Sequence, residues 1–163
     1  MKKLVLLMCL LALAASSKIQ AQLPAVTLKT IDGKSVKMDT LNNAGKPIIM
    51  SFFGTFCKPC MRELDAIAEV YDEWQEETGV RLVLVSIDRA QDVQKVKPLV
   101  ANHGWSYEVF LDTNEELKRA LGCQMVPFVV ILDGQGKVVY KHSGYTDGGE
   151  QELIEKVREL VEK

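Results

Sequence analysis

Two cysteines separated by Lys58 and Pro59 place one thiol where it can attack a foreign disulfide and another where it can complete the exchange. The motif Cys57-Lys58-Pro59-Cys60 follows Pro47-Ile48-Ile49-Met50-Ser51-Phe52-Phe53, an apolar run of strand length. It precedes a helical pattern in which Leu64, Ile67, Ala68, Tyr71 and Trp74 recur at spacings of three and four. The pair therefore sits where a strand hands over to a helix. Pro59 suits a first helical turn, because its missing N–H would have no intrahelical partner there, so the helix is expected to begin inside the motif. Residues three apart share a helix face, and their α-carbons lie about 5 Å apart, within reach of a disulfide. The free N–H groups and the positive dipole end at the helix start favour a thiolate at Cys57, and Lys58 adds a cation. Such surroundings lower a cysteine from about 8.5 by roughly one to five pH units. Cys57 is the expected nucleophile, and Cys60, one turn deeper, the expected resolving thiol.

The chain has 163 residues and begins with a basic pair, Lys2 and Lys3, then an uncharged apolar stretch from Leu4 to Ala15, with Ala21 offering a small residue for cleavage. This pattern predicts a signal peptide over residues 1–21 and a single domain over 22–163. The apolar stretch is short of the roughly 20 residues that cross a bilayer as a helix, so no permanent membrane span is expected. Cys9 lies inside the leader and is expected to leave with it. Losing Lys2, Lys3 and Lys18, with no acid among them, takes the formal charge from −2 to −5. No basic stripe points to nucleic acid. The expected location is outside the cytosol, most simply a bacterial periplasm, where disulfides persist. Cys57, Cys60 and Cys123 remain after cleavage, an odd number that argues against a scaffold of structural disulfides.

The rest of the chain supplies the elements that must hold the pair. Strands are expected around Ala25 to Leu28 and Ser35 to Met38, turned by Asp32-Gly33. Beyond them come a strand over Ile48–Phe53, a helix over Pro59–Thr78 ended by Gly79, a strand over Arg81–Ile87 and a helix over Asp92–His103 disturbed by Pro98. Tyr107–Leu111 reads as extended, and Glu115–Leu121 as a short helix capped by Asn114 or Thr113. Phe128–Leu132 and Val138–His142 flank the hairpin signal Asp133-Gly134-Gln135-Gly136, and a last helix runs from Glu150 to Val161. This order predicts an α/β fold with a central mixed sheet flanked by helices and an N-terminal β-hairpin extension.

With motif and layout together, the chain from about Leu23 onward resembles the thioredoxin-fold superfamily, and within it the exported TlpA/ResA-like thiol-disulfide oxidoreductases. The matching residues are Phe52-Phe53-Gly54-Thr55-Phe56-Cys57-Lys58-Pro59-Cys60-Met61-Arg62-Glu63, Val126-Pro127-Phe128, and Asp133-Gly134-Gln135-Gly136-Lys137. The resemblance implies a thioredoxin-like fold, a cis Val126–Pro127 bond facing the sulfurs, and substrate contact through Phe56, Pro59, Val126 and Pro127. It also implies disulfide-bearing client proteins and an upstream thiol-disulfide electron donor as partners, with no cofactor. Two departures stand out. Phe56 occupies the position where the family usually has Trp, and Ser51 the position where thioredoxin carries a buried acid. Glu63 matches the acid that ResA-like proteins carry just after their second cysteine, which makes it the candidate for proton transfer during resolution.

Other readings of the same residues are open at this level. The cysteine pair could be a fixed disulfide or half of a metal site, although His103 and His142 lack partners at ligand spacing and no metal is expected. An acid at Glu63 is favoured by the helix dipole alone. Cys123, four residues before Pro127, is expected to be a buried, inert thiol. Two further functions remain: a thiol peroxidase using Thr55 beside Cys57, and a copper-binding assembly factor using soft thiolates.

Overall fold

The computed structural model describes residues 21–162. The signal peptide expected over residues 1–21 thus lies outside the described residues, Ala21 excepted. Seven strands form one sheet: β1 (Thr27–Thr30), β2 (Ser35–Lys37), β3 (Ile48–Phe53), β4 (Arg81–Ser86), β5 (Glu108–Leu111), β6 (Phe128–Leu132) and β7 (Val138–Ser143). Their order across the sheet is β2-β1-β5-β4-β3-β6-β7. The centre is parallel, β3 beside β4 and β4 beside β5, while β1, β2, β6 and β7 join antiparallel. Four helices accompany the described strands: α1 (Lys58–Thr78), α2 (Val96–His103), α3 (Glu116–Ala120) and α4 (Glu150–Val161).

The sheet separates two apolar cores, which explains why β3 and β4 read as nearly unbroken hydrophobic runs. Alternate side chains enter opposite faces. Ile49 and Phe53 of β3 pack with Leu64, Ile67 and Trp74 of α1, Val96 and Val100 of α2, and Leu153, Ile154 and Val157 of α4. Ile48, Met50 and Phe52 pack on the other face with Leu117, Leu121 and Cys123, and with Leu23, Leu28, Met38 and Leu41 from the N-terminal segment. The N-terminal hairpin is therefore part of the fold's second core: β1 pairs with β5 through Lys29–Leu111 and Thr30–Phe110.

Local chemistry accounts for the element ends. Helix α1 stops at Gly79, whose φ of +69° suits a residue without a Cβ and whose N–H bonds the carbonyl of Gln75. Ala68, expected on the apolar stripe of α1, is exposed. The helix expected from Asp92 splits into a 3-10 turn over Val93–Lys95 and α2, which puts Pro98 in the first turn of α2, where its missing N–H costs nothing. The cap expected at Asn114 or Thr113 is corrected to Asp112. Its carboxylate accepts the N–H groups of Glu116 at 2.8 Å, Leu117 at 3.3 Å and Lys118 at 2.8 Å, satisfying most of the free donors of α3. Among the described residues, no helix is long and apolar enough to cross a membrane.

Candidate active site

Cys57 lies one short turn beyond β3 and is the N-cap of α1. The turn closes through the Cys57 N–H on the Gly54 carbonyl at 2.9 Å. It is tight enough that a Cβ on Gly54 would stand 2.5 Å from the Phe56 ring. Cys57 and Cys60 are joined in a disulfide with their α-carbons 5.3 Å apart, and the Cys57 sulfur accepts the Cys60 N–H at 3.3 Å. Their exposures differ in the sense that matters for exchange: Cys57 is 7% exposed and Cys60 is sealed at 0%. Pro59 sits in the first turn of α1, facing solvent.

Beneath the motif, Cys60, Glu63, Leu64 and Ile67 fall on the buried stripe of α1. Ser51 shares the parity of Ile49 and Phe53, so its side chain enters the same face of the sheet. There its hydroxyl donates to Glu63 Oε2 at 3.2 Å. Burial, opposed by that hydrogen bond and reinforced by the nearby charge of Glu150, pushes the Glu63 carboxyl up to about 7. An acid at this value holds or releases a proton near neutrality. The dipole alone does not account for it, because Glu63 is only 2% exposed.

The Val126–Pro127 peptide is cis, as the resemblance implied, and precedes β6. Pro127 is buried, with its carbonyl accepting the Gly144 N–H at 2.8 Å. Val126 packs against both cores, one of which contains Cys57 and Cys60, and its backbone makes no hydrogen bond among the described residues. A cleft of about 510 Å³ brings Phe56, beside Cys57, together with Met125 and Val126. Phe56, 69% exposed, and Met125 form apolar lips on this cleft. Cys123 is a buried free thiol in the second core, raised by desolvation, with its Sγ on the Met125 carbonyl at 3.4 Å.

Asp88 was not singled out by the sequence. It follows β4 and lines the cleft, and its carboxylate receives the N–H and hydroxyl of Thr55. The available signal was Ser86-Ile87-Asp88, two polar groups closing an apolar strand.

A family profile described as the AhpC/TSA family matches residues 19–141. The chain belongs to the AhpC/TSA family. Within that thioredoxin-fold family, it is 27% identical over 134 residues to the thiol-disulfide oxidoreductase ResA of Halalkalibacterium halodurans, covering 82% of this chain and 72% of the relative. Among solved structures, an uncharacterized thioredoxin-like protein from Porphyromonas gingivalis is 63% identical with a TM-score of 0.79, over 88% of this chain and 94% of that one. A thiol:disulfide interchange protein DsbE from Chlorobium tepidum, described as putative, shares the fold at 19% identity and TM-score 0.75, over 87% of this chain and 96% of that one. A mixed-sheet thioredoxin-like fold with a Cys57–Cys60 pair, in an AhpC/TSA member related to such proteins, is a thiol-disulfide oxidoreductase.

Proposed function

We propose that this protein is exported and reduces disulfides in client proteins by a mixed-disulfide relay, drawing electrons from an upstream thiol-disulfide protein. The observation that carries this reading is the asymmetry of the pair: Cys57 caps α1 and keeps a 7% edge open to solvent, while Cys60 keeps none. In the reduced protein, the Cys57 thiolate attacks one sulfur of a client disulfide, and the other client sulfur leaves as a thiolate. Cys60 then gives its proton toward Glu63, directly or through water, and attacks Cys57 Sγ. The second client sulfur departs and the Cys57–Cys60 disulfide forms. The client gains two electrons and the pair loses two, which the upstream donor restores.

Phe56, Pro59, Val126 and Pro127 form the client surface in this proposal. The unpaired backbone of Val126 offers hydrogen bonds to an extended segment, and Phe56 and Met125 offer apolar contact. Export rests on Lys2-Lys3 and the apolar stretch that follows, and the compartment in this proposal is a bacterial periplasm.

The peroxidase alternative is less well supported, since the Thr55 hydroxyl it would use donates to Asp88 at 2.6 Å. Trapping tests the relay directly. Cys60→Ala is expected to leave clients disulfide-linked to Cys57 in the native compartment, and Cys57→Ala to leave none. Absence of trapped protein under both oxidising and reducing growth would refute it. Direction is tested against glutathione, where a potential above about −180 mV would mark an oxidant.

A further inference from the structure

Asp88 is 2% exposed, and no cation pairs with it among the described residues. A buried carboxylate is costly unless hydrogen bonds satisfy it. Its partners are few and local to the site. Thr55 N–H donates to Oδ2 at 2.9 Å and Oδ1 at 3.2 Å, Thr55 Oγ1 donates to Oδ1 at 2.6 Å, and Ser86 Oγ donates to Oδ2 at 2.9 Å. Ser86 Oγ in turn accepts the Asp88 N–H at 3.1 Å, fixing the acid to the end of its own strand.

The parallel ladder explains how this contact forms. Phe53 lies opposite Ser86, and the Ile87 N–H bonds the Phe53 carbonyl at 2.9 Å, so the residues just past both strands meet. Thr55 is the middle of the turn that ends in Cys57. Both of its donors are held by the one Asp88 side chain.

We propose that Asp88 is a positioning residue that acts through Thr55, holding the Gly54–Cys57 turn so that Cys57 stays aligned as the N-cap of α1 and its sulfur stays against the helix N–H groups. This rests on Cys57 being the nucleophile proposed above. Loosening the clamp moves the sulfur away from those donors, which disfavours the thiolate. In this role Asp88 acts through Thr55 and is not itself catalytic.

The test is the pH profile of Cys57 alkylation by iodoacetamide in the reduced protein, read on the Cys57 peptide by mass spectrometry, with thermal unfolding followed in parallel. Thr55→Val removes the hydroxyl at nearly constant shape and charge. It is expected to shift the profile to higher pH and slow labelling at pH 7 by about threefold, as a smaller thiolate fraction requires. Thr55→Ser, which keeps both donors, is expected to restore the wild-type profile, a rescue that a general loss of stability would not produce. Asp88→Glu keeps the charge but displaces the acceptor of both the Thr55 hydroxyl and its N–H, so it is expected to act in the same direction and, combined with Thr55→Val, to add less than its separate effect, because the hydroxyl contact is already gone. If Thr55→Val does not fold, Thr55→Ala takes its place. A wild-type profile in the Thr55 variant, or a full second loss in the double variant, overturns the proposal. Failure of the wild-type protein to reduce insulin would instead overturn the relay, since alkylation is read without a client.

Discussion

The hydroxyl of Ser51 on β3 meets the carboxylate of Glu63 on α1 at 3.2 Å, inside the core between strand and helix. The carboxyl is raised from 4.5 to about 7, so the folded protein holds that proton more tightly than the unfolded chain does. The stability consequence has a definite sign. Glu63 costs nothing below about pH 4.5, costs progressively more as pH rises to 7, and its full cost of roughly 3 kcal/mol applies above that. Glu63→Gln should therefore gain stability over wild type between pH 5 and pH 8, measured by urea unfolding of the oxidised proteins. An equal difference at both pH values would show that Glu63 does not titrate in this range.

The same pair governs the rate in the proposed relay. Glu63→Gln should slow turnover with insulin and a thiol donor by about 10²-fold, the usual worth of a positioned acid or base. Ser51→Ala removes the hydrogen bond that lowers the Glu63 value, so the pH dependence of turnover should move to the alkaline side. A profile that stays in place would separate Ser51 from the titration of Glu63.

Asp112 caps α3 with three accepted N–H groups, and Asn114 and Thr113 do not. Asp112→Ala should cost about 2 kcal/mol through the lost cap and the unsatisfied donors it leaves. Asn114→Ala should change stability by less than about 0.5 kcal/mol, as an exposed substitution does. Chemical unfolding of the two variants side by side decides the assignment.

Phe56 stands in the cleft beside Cys57 with most of its ring in solvent. Phe56→Ala should leave unfolding within about 0.5 kcal/mol of wild type. It should also raise the KM for a protein client while leaving the reaction with a small disulfide unchanged. An equal loss on both substrates would remove Phe56 from the client surface.

Burial pushes the Cys123 thiol up, so it should resist alkylation at pH 8 in the folded protein and react promptly in denaturant. Mass spectrometry of the Cys123 peptide under both conditions checks this. Rapid labelling in the folded state would reopen a redox role for it.

Much of the positioning framework was legible from residue order. The β3 limits, Ile48–Phe53, coincide with the expected strand because a strand buried on both faces is apolar from end to end. Gly79 marks the end of α1 because a left-handed position there disfavours any residue with a Cβ. The placement of Glu63 was also implicit, since Cys60, Glu63, Leu64 and Ile67 follow the spacing of one helix face. The Asp88 clamp was not legible. Its two ends lie 33 residues apart and meet only through the register of β3 on β4, a non-local property that no local pattern encodes. The cap of α3 was missed for a smaller reason: Asp112 reaches across a turn in which Glu115 adopts a left-handed backbone, so the acceptor stands further upstream than the usual cap position.

The N-terminal hairpin has one more effect. By pairing with β5, it covers a flank of the parallel strands that would otherwise present open backbone groups. The sheet then ends on β2, only three residues long, and on β7, which carries Lys141, breaks register opposite Ile131 and Leu132, and follows Lys137, the residue that bridges Gln22. Short, charged and irregular borders give stray strands little template to grow on. Resistance to aggregation is thus built into the margins of the sheet, away from the sulfurs.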